Sequence, residues 1–251
     1  MNRLLHAFYP EARFGGFTRV DGTVAFFSRI NALVTSDMTL LNIGCGRGAS
    51  FVDDPLPWRR SLQGFKGRCR RVIGIDVDPI GSVNPTIDAF HLIEDGHWPL
   101  DDASVDLGFA DYVLEHVQDP KAFLAEAWRV LRPGGFLCLR TTNAWSYLGL
   151  AARLVPNRAH GQVIERVQHD PRHSADVFPV VYRCNSTGRL RRHLRRQGFD
   201  AVVHGFNPEP SYCSFSWIAY GIGVMYQRLM PAALGPVLLA FARKPATVDR
   251  I

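Results

Sequence analysis

Short apolar runs alternate with longer amphipathic ones along the chain, and the two periods predict different elements. Leu40, Leu41 and Ile43 form a run of strand length. Residues 71–76 form a second, with Val72, Ile73 and Ile75 ahead of Asp76. Residues 90–93, 105–110 and 136–140 read as three further strands, and 201–204 and 237–243 as two more near the end. Helical spacing separates them. Residues 24–34 repeat Phe26, Phe27, Ile30, Leu33 and Val34, and residues 120–131 put Phe123, Leu124, Ala127, Val130 and Leu131 on one face behind Pro120. Residues 145–155 and 189–197 read as helices, the latter closed by Gly198 with Leu190 and Leu194 inward. Residues 215–230 form an apolar helix interrupted by Gln227 and Arg228; it can pack on the core, dimerise or lie on a membrane surface. This order predicts a doubly wound, mainly parallel α/β sheet with helices on both faces and ligands at the carboxyl ends of its strands.

Three stretches have no place in that alternation. Residues 1–23 are rich in aromatics and glycine (Phe8, Tyr9, Phe14, Phe17) and show neither period, so they read as a strap on the core or a lid over a ligand. Residues 53–70 carry Arg59, Arg60, Lys66, Arg68 and Arg70, with Pro55 and Pro57 against one long helix. They read as a solvated insertion or a basic loop that guides an anion. Residues 156–183 are a loop-rich insert containing His160, His169 and His173.

Composition bounds the answer without naming it. A chain of 251 residues makes one large domain, and a net charge of +6 allows an anionic partner without requiring one. The five cysteines are scattered and form no C-x-x-C pair, so no disulfide framework or zinc site is indicated. The first residues lack a signal-peptide pattern, and no apolar run reaches the roughly 18 residues of a spanning helix. The expected location is the cytoplasm.

The candidate chemistry gathers at strand ends. Gly44, Gly46 and Gly48 follow the first strand at alternate positions, where glycine permits a sharp turn and close approach of a ligand. Such a loop between strand and helix is expected to point backbone N–H groups at a bound group. Gly44, Gly46 and Ala49 also satisfy the dinucleotide spacing G-x-G-x-x-G/A. Asp76 ends the second strand, where a carboxylate can accept from two ribose hydroxyls. Glu94, Asp95 and Asp111 follow at the ends of the third and fourth strands.

Five segments in order resemble a class I S-adenosylmethionine (SAM)-dependent methyltransferase of the type-11 group. They are residues 41–48 (Leu-Asn-Ile-Gly-Cys-Gly-Arg-Gly), 72–76, 98–106, 112–117 and 129–135. The resemblance implies a Rossmann-like seven-stranded sheet with the last strand antiparallel and with N-terminal and post-strand-5 embellishments. It implies SAM as cofactor, held by Asn42, Gly44, Cys45, Gly46, Asp76, Val77, Glu94, Asp95, Gly96, Asp111 and Tyr112. In that set the glycines run beside the methionyl part and Asp76 holds the ribose. Glu94 or Asp95 takes the adenine amino group, and Asp111 and Tyr112 border the methyl group. Asn42 departs from the family, which usually has an acid there; an amide lacks the charge that attracts the SAM ammonium. The implied parts are one domain with an N-terminal cap (1–37), a SAM-binding core (38–143), an acceptor-side insert with helices (144–198) and C-terminal strands with a helix (199–251).

Methyl transfer from a sulfonium is an in-line displacement, so alignment and exclusion of water supply much of the rate. A base is needed only where the acceptor keeps its proton. His116 is the candidate, on a helix expected to begin at the site, ahead of His6, His97, His169 and His173. Glu115-His116 resembles the metal pair of ubiquinone-pathway O-methyltransferases, but Tyr112 stands where that pattern has a second acid, so no metal is expected. The expected function is methylation of a small-molecule or lipid-like acceptor at oxygen, the acceptor semi-apolar and anionic. Alternatives are an RNA or protein methyltransferase and a non-catalytic SAM-fold binding protein. Nucleic acid is not the expected partner; a homodimer and peripheral membrane contact stay open.

Overall fold

A computed structural model describes residues 2–147, 149 and 179–246. Seven strands form one sheet: β1 (Thr39–Ile43), β2 (Arg71–Asp76), β3 (Ala89–Leu92), β4 (Val105–Asp111), β5 (Leu131–Thr142), β6 (Asp200–Phe206) and β7 (Val237–Arg243). Their order is β3-β2-β1-β4-β5-β7-β6. All neighbours run parallel except β7, which is antiparallel to both β5 and β6. This is the Rossmann-like methyltransferase sheet that the sequence implies. The order reverses between β1 and β4, and a crevice opens at such a switch point outside the carboxyl ends.

The inner strands β1, β2, β4 and β7 bury both faces, which is why their runs read as continuous, whereas the edge strand β6 alternates exposed and buried residues. Leu41, Ile43, Ile75, Leu137 and Leu139 face α5 (Pro120–Val130) and α6 (Thr187–Gln197). Leu40, Val72, Leu107 and Phe109 face α2 (Gly22–Asn31) and Phe65. Full burial of one such side chain stabilises by about 1.5–3 kcal/mol. Helix ends follow their caps. Asp119 accepts from the N–H groups of Lys121 and Ala122 ahead of Pro120, and Gly198 closes α6 at φ 103°.

Two elements, at the N-terminus and at the start of β5, differ from the sequence expectation. Residues 2–8 form a helix, α1 (Asn2–Phe8), although the segment is too short to show a period. Leu4 and Tyr9 are buried with Tyr220 and Val224 of α7 (Trp217–Leu229), so tertiary contact supplies what local propensity does not. The interval after β1 is broken, as its prolines imply, into α3 (Ala49–Val52) and α4 (Pro57–Gln63), with Pro57 in the first turn of the second. Strand β5 begins at Leu131, ahead of the Pro133-Gly134-Gly135 stretch expected to precede it. Its register against β4 shifts between Val105 and Leu107, and Gly134 N–H donates to the Lys244 carbonyl (2.8 Å), so the bulged residues stay paired. The expected helix over 145–155 and insert over 156–183 lie largely outside the described residues, His160, His169 and His173 included.

Candidate active site

The glycine loop is held from inside. Gly44 and Cys45 N–H donate to the Ile75 carbonyl (2.8 and 3.2 Å), and Gly46 N–H donates to Asp76 Oδ2 (2.7 Å). Gly48 N–H donates to the Cys45 carbonyl at 3.3 Å. The expectation that these groups point at a ligand is therefore corrected: they fasten the loop to β2. A diphosphate cradle needs such groups unengaged at a helix N-terminus, and α3 has only 4 residues. Gly44 has φ 66°, and a Cβ there would meet Val113 Cγ2 at 2.5 Å. Gly46 has φ 45°, and a Cβ there would meet nothing within 4 Å, so its outer side is open to a ligand.

Asn84 was not legible as part of the site. Its Nδ2 donates to the carbonyls of Cys45 (2.7 Å) and Gly46 (3.1 Å), and its Oδ1 accepts from Thr86 N–H (2.9 Å). It locks the far side of the loop. Cys45 is buried among these groups, and burial, with Asp76 nearby, pushes its thiol up to about 12.

Asp76 is 7% exposed at the end of β2. Oδ2 takes Gly46 N–H and Oδ1 takes Asp78 N–H (3.0 Å). Each carboxylate oxygen has two acceptor sites, so each keeps one for a ribose hydroxyl. Val77, next in the chain, is 64% exposed. Ile93 N–H donates to the Asp76 carbonyl (2.7 Å), which brings the end of β3 beside it. There Asp95 (φ 52°) and Gly96 (φ 76°) form a tight turn between Glu94 and His97. Glu94, Asp95 and Gly96 are all exposed on this rim.

Across the switch point, a cavity is bordered by Asn42, Gly44, Cys45, Gly48 and Asp111, with Phe27, Phe51 and Phe109 as apolar wall. Asp111 is bound by Arg140 from β5: Nε lies 2.5 Å from Oδ1 and Nη2 lies 2.7 Å from Oδ2. Arg140 also donates to Thr23 Oγ1 (3.1 Å), and its guanidinium lies 4.8 Å from the centre of the Tyr112 ring. Burial opposes the Arg140 charge, but Asp111 more than offsets it and holds the group above its ordinary range. Tyr112 has φ 57°, a conformation an L side chain adopts at a cost, and its N–H donates to the Arg140 carbonyl (2.8 Å).

His116 lies on a turn between β4 and α5, not on the expected helix; its N–H donates to the Val113 carbonyl (3.0 Å). Its Nδ1 lies 2.9 Å from the Pro179 carbonyl. A carbonyl only accepts, so Nδ1 is the nitrogen that donates in this contact. Glu115 is buried and accepts from Thr141 Oγ1 (2.7 Å) and Thr142 Oγ1 (3.0 Å), a structural tie between the turn and β5. His97 Nδ1 lies 3.2 Å from Glu126, away from the switch point.

The basic interval is tied down at Arg59, while Lys66, Arg68 and Arg70 are exposed. Arg59 donates to Asp54 (2.6 and 2.9 Å) and to Asp21 (2.8 Å), which also caps α2. Lys66 reaches the Ile87 carbonyl (2.9 Å), and Arg68 reaches Asn31 Oδ1 (2.6 Å). Phe17 of the N-terminal segment stacks on Trp58 at 4.5 Å. In the β6–β7 connection, Glu209 accepts from Thr18 Oγ1 (2.9 Å). Burial first, then Asp21, pushes its carboxyl up to about 7. No spacing in the sequence marks Glu209 or Arg140, because each acquires its setting from residues distant in the chain.

Residues 41–139 match the family of methyltransferase domains. A probable S-adenosylmethionine-dependent methyltransferase of Mycolicibacterium smegmatis is 36% identical over 113 residues, 41% of this chain and 38% of that protein. The chain thus spans well under half the length of that relative. The thiol S-methyltransferase TMT1B of Rattus norvegicus is 27% identical over 219 residues, 79% of this chain and 74% of it. A SAM-dependent methyltransferase from Archaeoglobus fulgidus shares the fold with a TM-score of 0.51 at 17% identity, over 93% of this chain and 97% of that one. Sheet order, loop and family match agree: the chain carries a class I SAM-dependent methyltransferase domain.

Proposed function

We propose that this chain transfers the methyl group of SAM to a small-molecule or lipid-like acceptor, with oxygen as the receiving atom. The observation that carries the reading is the fastening of Asp76 to Gly46 N–H across the mouth of the loop. It leaves a fixed carboxylate with acceptor capacity on one side of the switch point and Asn42 with Asp111 on the other. In this reading Asp76 and Val77 meet the ribose, and Glu94, Asp95 and Gly96 the adenine. Asn42, Gly44, Cys45 and Gly46 run beside the methionyl part, and Asp111 and Tyr112 border the reacting end. Bound SAM supplies an electrophilic methyl on sulfur; the chain's own residues orient the partners and exclude water.

In this reading His116 is the base that takes the acceptor's proton, its ring oriented by the contact of Nδ1 with the Pro179 carbonyl. Residues 1–37 and the β6–β7 connection cap the acceptor side. The N-terminal cap meets that connection through Thr18 and Glu209.

A sulfur acceptor is the second reading, favoured by the rat relative whose name is thiol S-methyltransferase. A thiol ionises near pH 8.5 and needs no positioned base, whereas an alcohol does. The test incubates the protein with methyl-labelled SAM and a small-molecule extract, then identifies the labelled product. Transfer to oxygen that is lost in His116→Gln supports the first reading. Transfer to sulfur that His116→Gln leaves intact supports the second. No labelled product at all counts against catalysis and favours a binding protein.

A further inference from the structure

Helix α7 turns apolar side chains outward where a surface helix carries polar ones. On its inner side Tyr220, Gly223 and Val224 are buried, and the Phe8 ring of α1 lies 5.4 Å from that of Tyr220. On the opposite side, at 3.6 residues per turn, Ile218, Ile222, Met225 and Leu229 fall in one stripe. They are 77%, 58%, 56% and 70% exposed. Phe215 and Trp217 adjoin the stripe at its N-terminal end and are also more than half exposed. Of the helix's polar side chains, Gln227 is turned to the protein and Arg228 stays exposed beside the stripe. Gln227 accepts from the Tyr9 hydroxyl (3.3 Å) and donates to the Asn207 carbonyl (3.2 Å), and Arg228 reaches the Phe8 carbonyl (3.4 Å).

A contiguous apolar stripe of this kind marks an interaction surface, and its charge setting selects the occupant. Residues 211–234 contain Arg228 and no Asp or Glu, and α1 beside them contains Arg3 and His6 and no acid. In a two-fold self-association the face would meet its own copy, arginine opposite arginine with no carboxylate on either helix to pair. Anionic headgroups attract the same arginines while the acyl boundary takes the stripe. Aromatic side chains at one end suit the interface between water and hydrocarbon. The helix has 13 residues, and no helix among the described residues is long and apolar enough to cross a membrane.

We propose that α7, with α1 alongside, is a docking surface for an anionic lipid bilayer. The helix lies in the headgroup layer with Ile218, Ile222, Met225 and Leu229 toward the acyl chains. The proposal is independent of the methyl acceptor. It has a geometric consequence, since Tyr226 of the same helix packs its ring 4.9 Å from that of Tyr147, just beyond β5, so docking would bring the post-β5 side of the sheet to the lipid surface.

The test sediments the full chain with vesicles of phosphatidylcholine alone or mixed with phosphatidylglycerol. The expected result is association with the mixed vesicles at least about tenfold tighter than with the neutral ones, weakened by salt. Ile222→Asp with Met225→Asp should reduce it by about tenfold or more at unchanged melting temperature, because both side chains already face solvent. Should that pair melt early, Ile218→Ser replaces it. No association of the wild type with either vesicle overturns the proposal, as does a variant that binds as tightly as wild type. Sedimentation velocity showing a dimer that the variant dissolves, without vesicle binding, makes the face a self-association surface and also overturns it.

Discussion

Arg140 of β5 grips Asp111 of β4 with two parallel hydrogen bonds, Nε to Oδ1 at 2.5 Å and Nη2 to Oδ2 at 2.7 Å. The pair stands at the carboxyl edge beside the strand-order switch, with Arg140 only 4% exposed. A buried guanidinium without its carboxylate is an uncompensated charge.

Asp111→Asn should therefore destabilise the fold by about 3 kcal/mol, within the range for breaking one side of a buried pair. Denaturant unfolding of the variant against wild type measures it. A change below about 0.5 kcal/mol would mean that water or a rotamer change rescues Arg140, and the pair is then not structural.

Asn42 and Asp111 border one cavity, and Arg140 already neutralises Asp111. In the proposed reading, the methionyl side thus lacks the unpaired acid that the family usually places at position 42. Asn42→Asp should tighten SAM by about tenfold, the difference between a neutral and a charge-assisted hydrogen bond. Loss of binding in this variant would show that Asn42 packs against something other than the ammonium.

Much of this arrangement is legible in the sequence, and the reasons are local. The β1 run and its glycines occupy consecutive positions, so strand, turn and loop are written in about ten residues. Asp76 is legible because an acid after Val72-Ile73-Gly74-Ile75 must emerge at a strand end. Arg140 and Glu209 are not legible, since their partners are 29 and 191 residues away. Helix α1 escapes the reading because a 7-residue segment owes its shape to Tyr220 and Val224 rather than to its own period. The turn carrying His116 reads as a helix start because Val113, Leu114 and Val117 mimic helical spacing; their role is to pack the turn onto the core.

Asn84 should prove a loop residue despite its distance of 39 positions from Cys45. Asn84→Ala removes two donors to loop carbonyls and leaves those carbonyls and Thr86 without their partner, at a cost of about 1–3 kcal/mol. SAM affinity should fall with it. A variant with wild-type stability and affinity would mean that the glycine loop holds its shape alone.

Glu209 sets a pH dependence. Its carboxyl is raised from 4.5 to about 7 in the folded chain, so the folded state binds the extra proton between those values. Stability from this group is full below pH 4.5, declines as pH rises and is lost above about 7. Glu209→Gln, which keeps the Thr18 contact without the charge, should raise stability at pH 8 by roughly 1–3 kcal/mol and change it little at pH 4.5. Unfolding curves at the two pH values decide; equal effects at both would remove the carboxylate as the cause.

Calorimetry of SAM binding to the wild type and to Asp76→Ala tests the central claim most directly. The carboxylate that ties Gly46 also offers acceptors to the ribose, each worth about 1.5–3 kcal/mol. The wild type should bind SAM, and Asp76→Ala should bind at least about tenfold more weakly while remaining folded. A wild type that binds no SAM, or a variant that binds it equally well, would contradict the account.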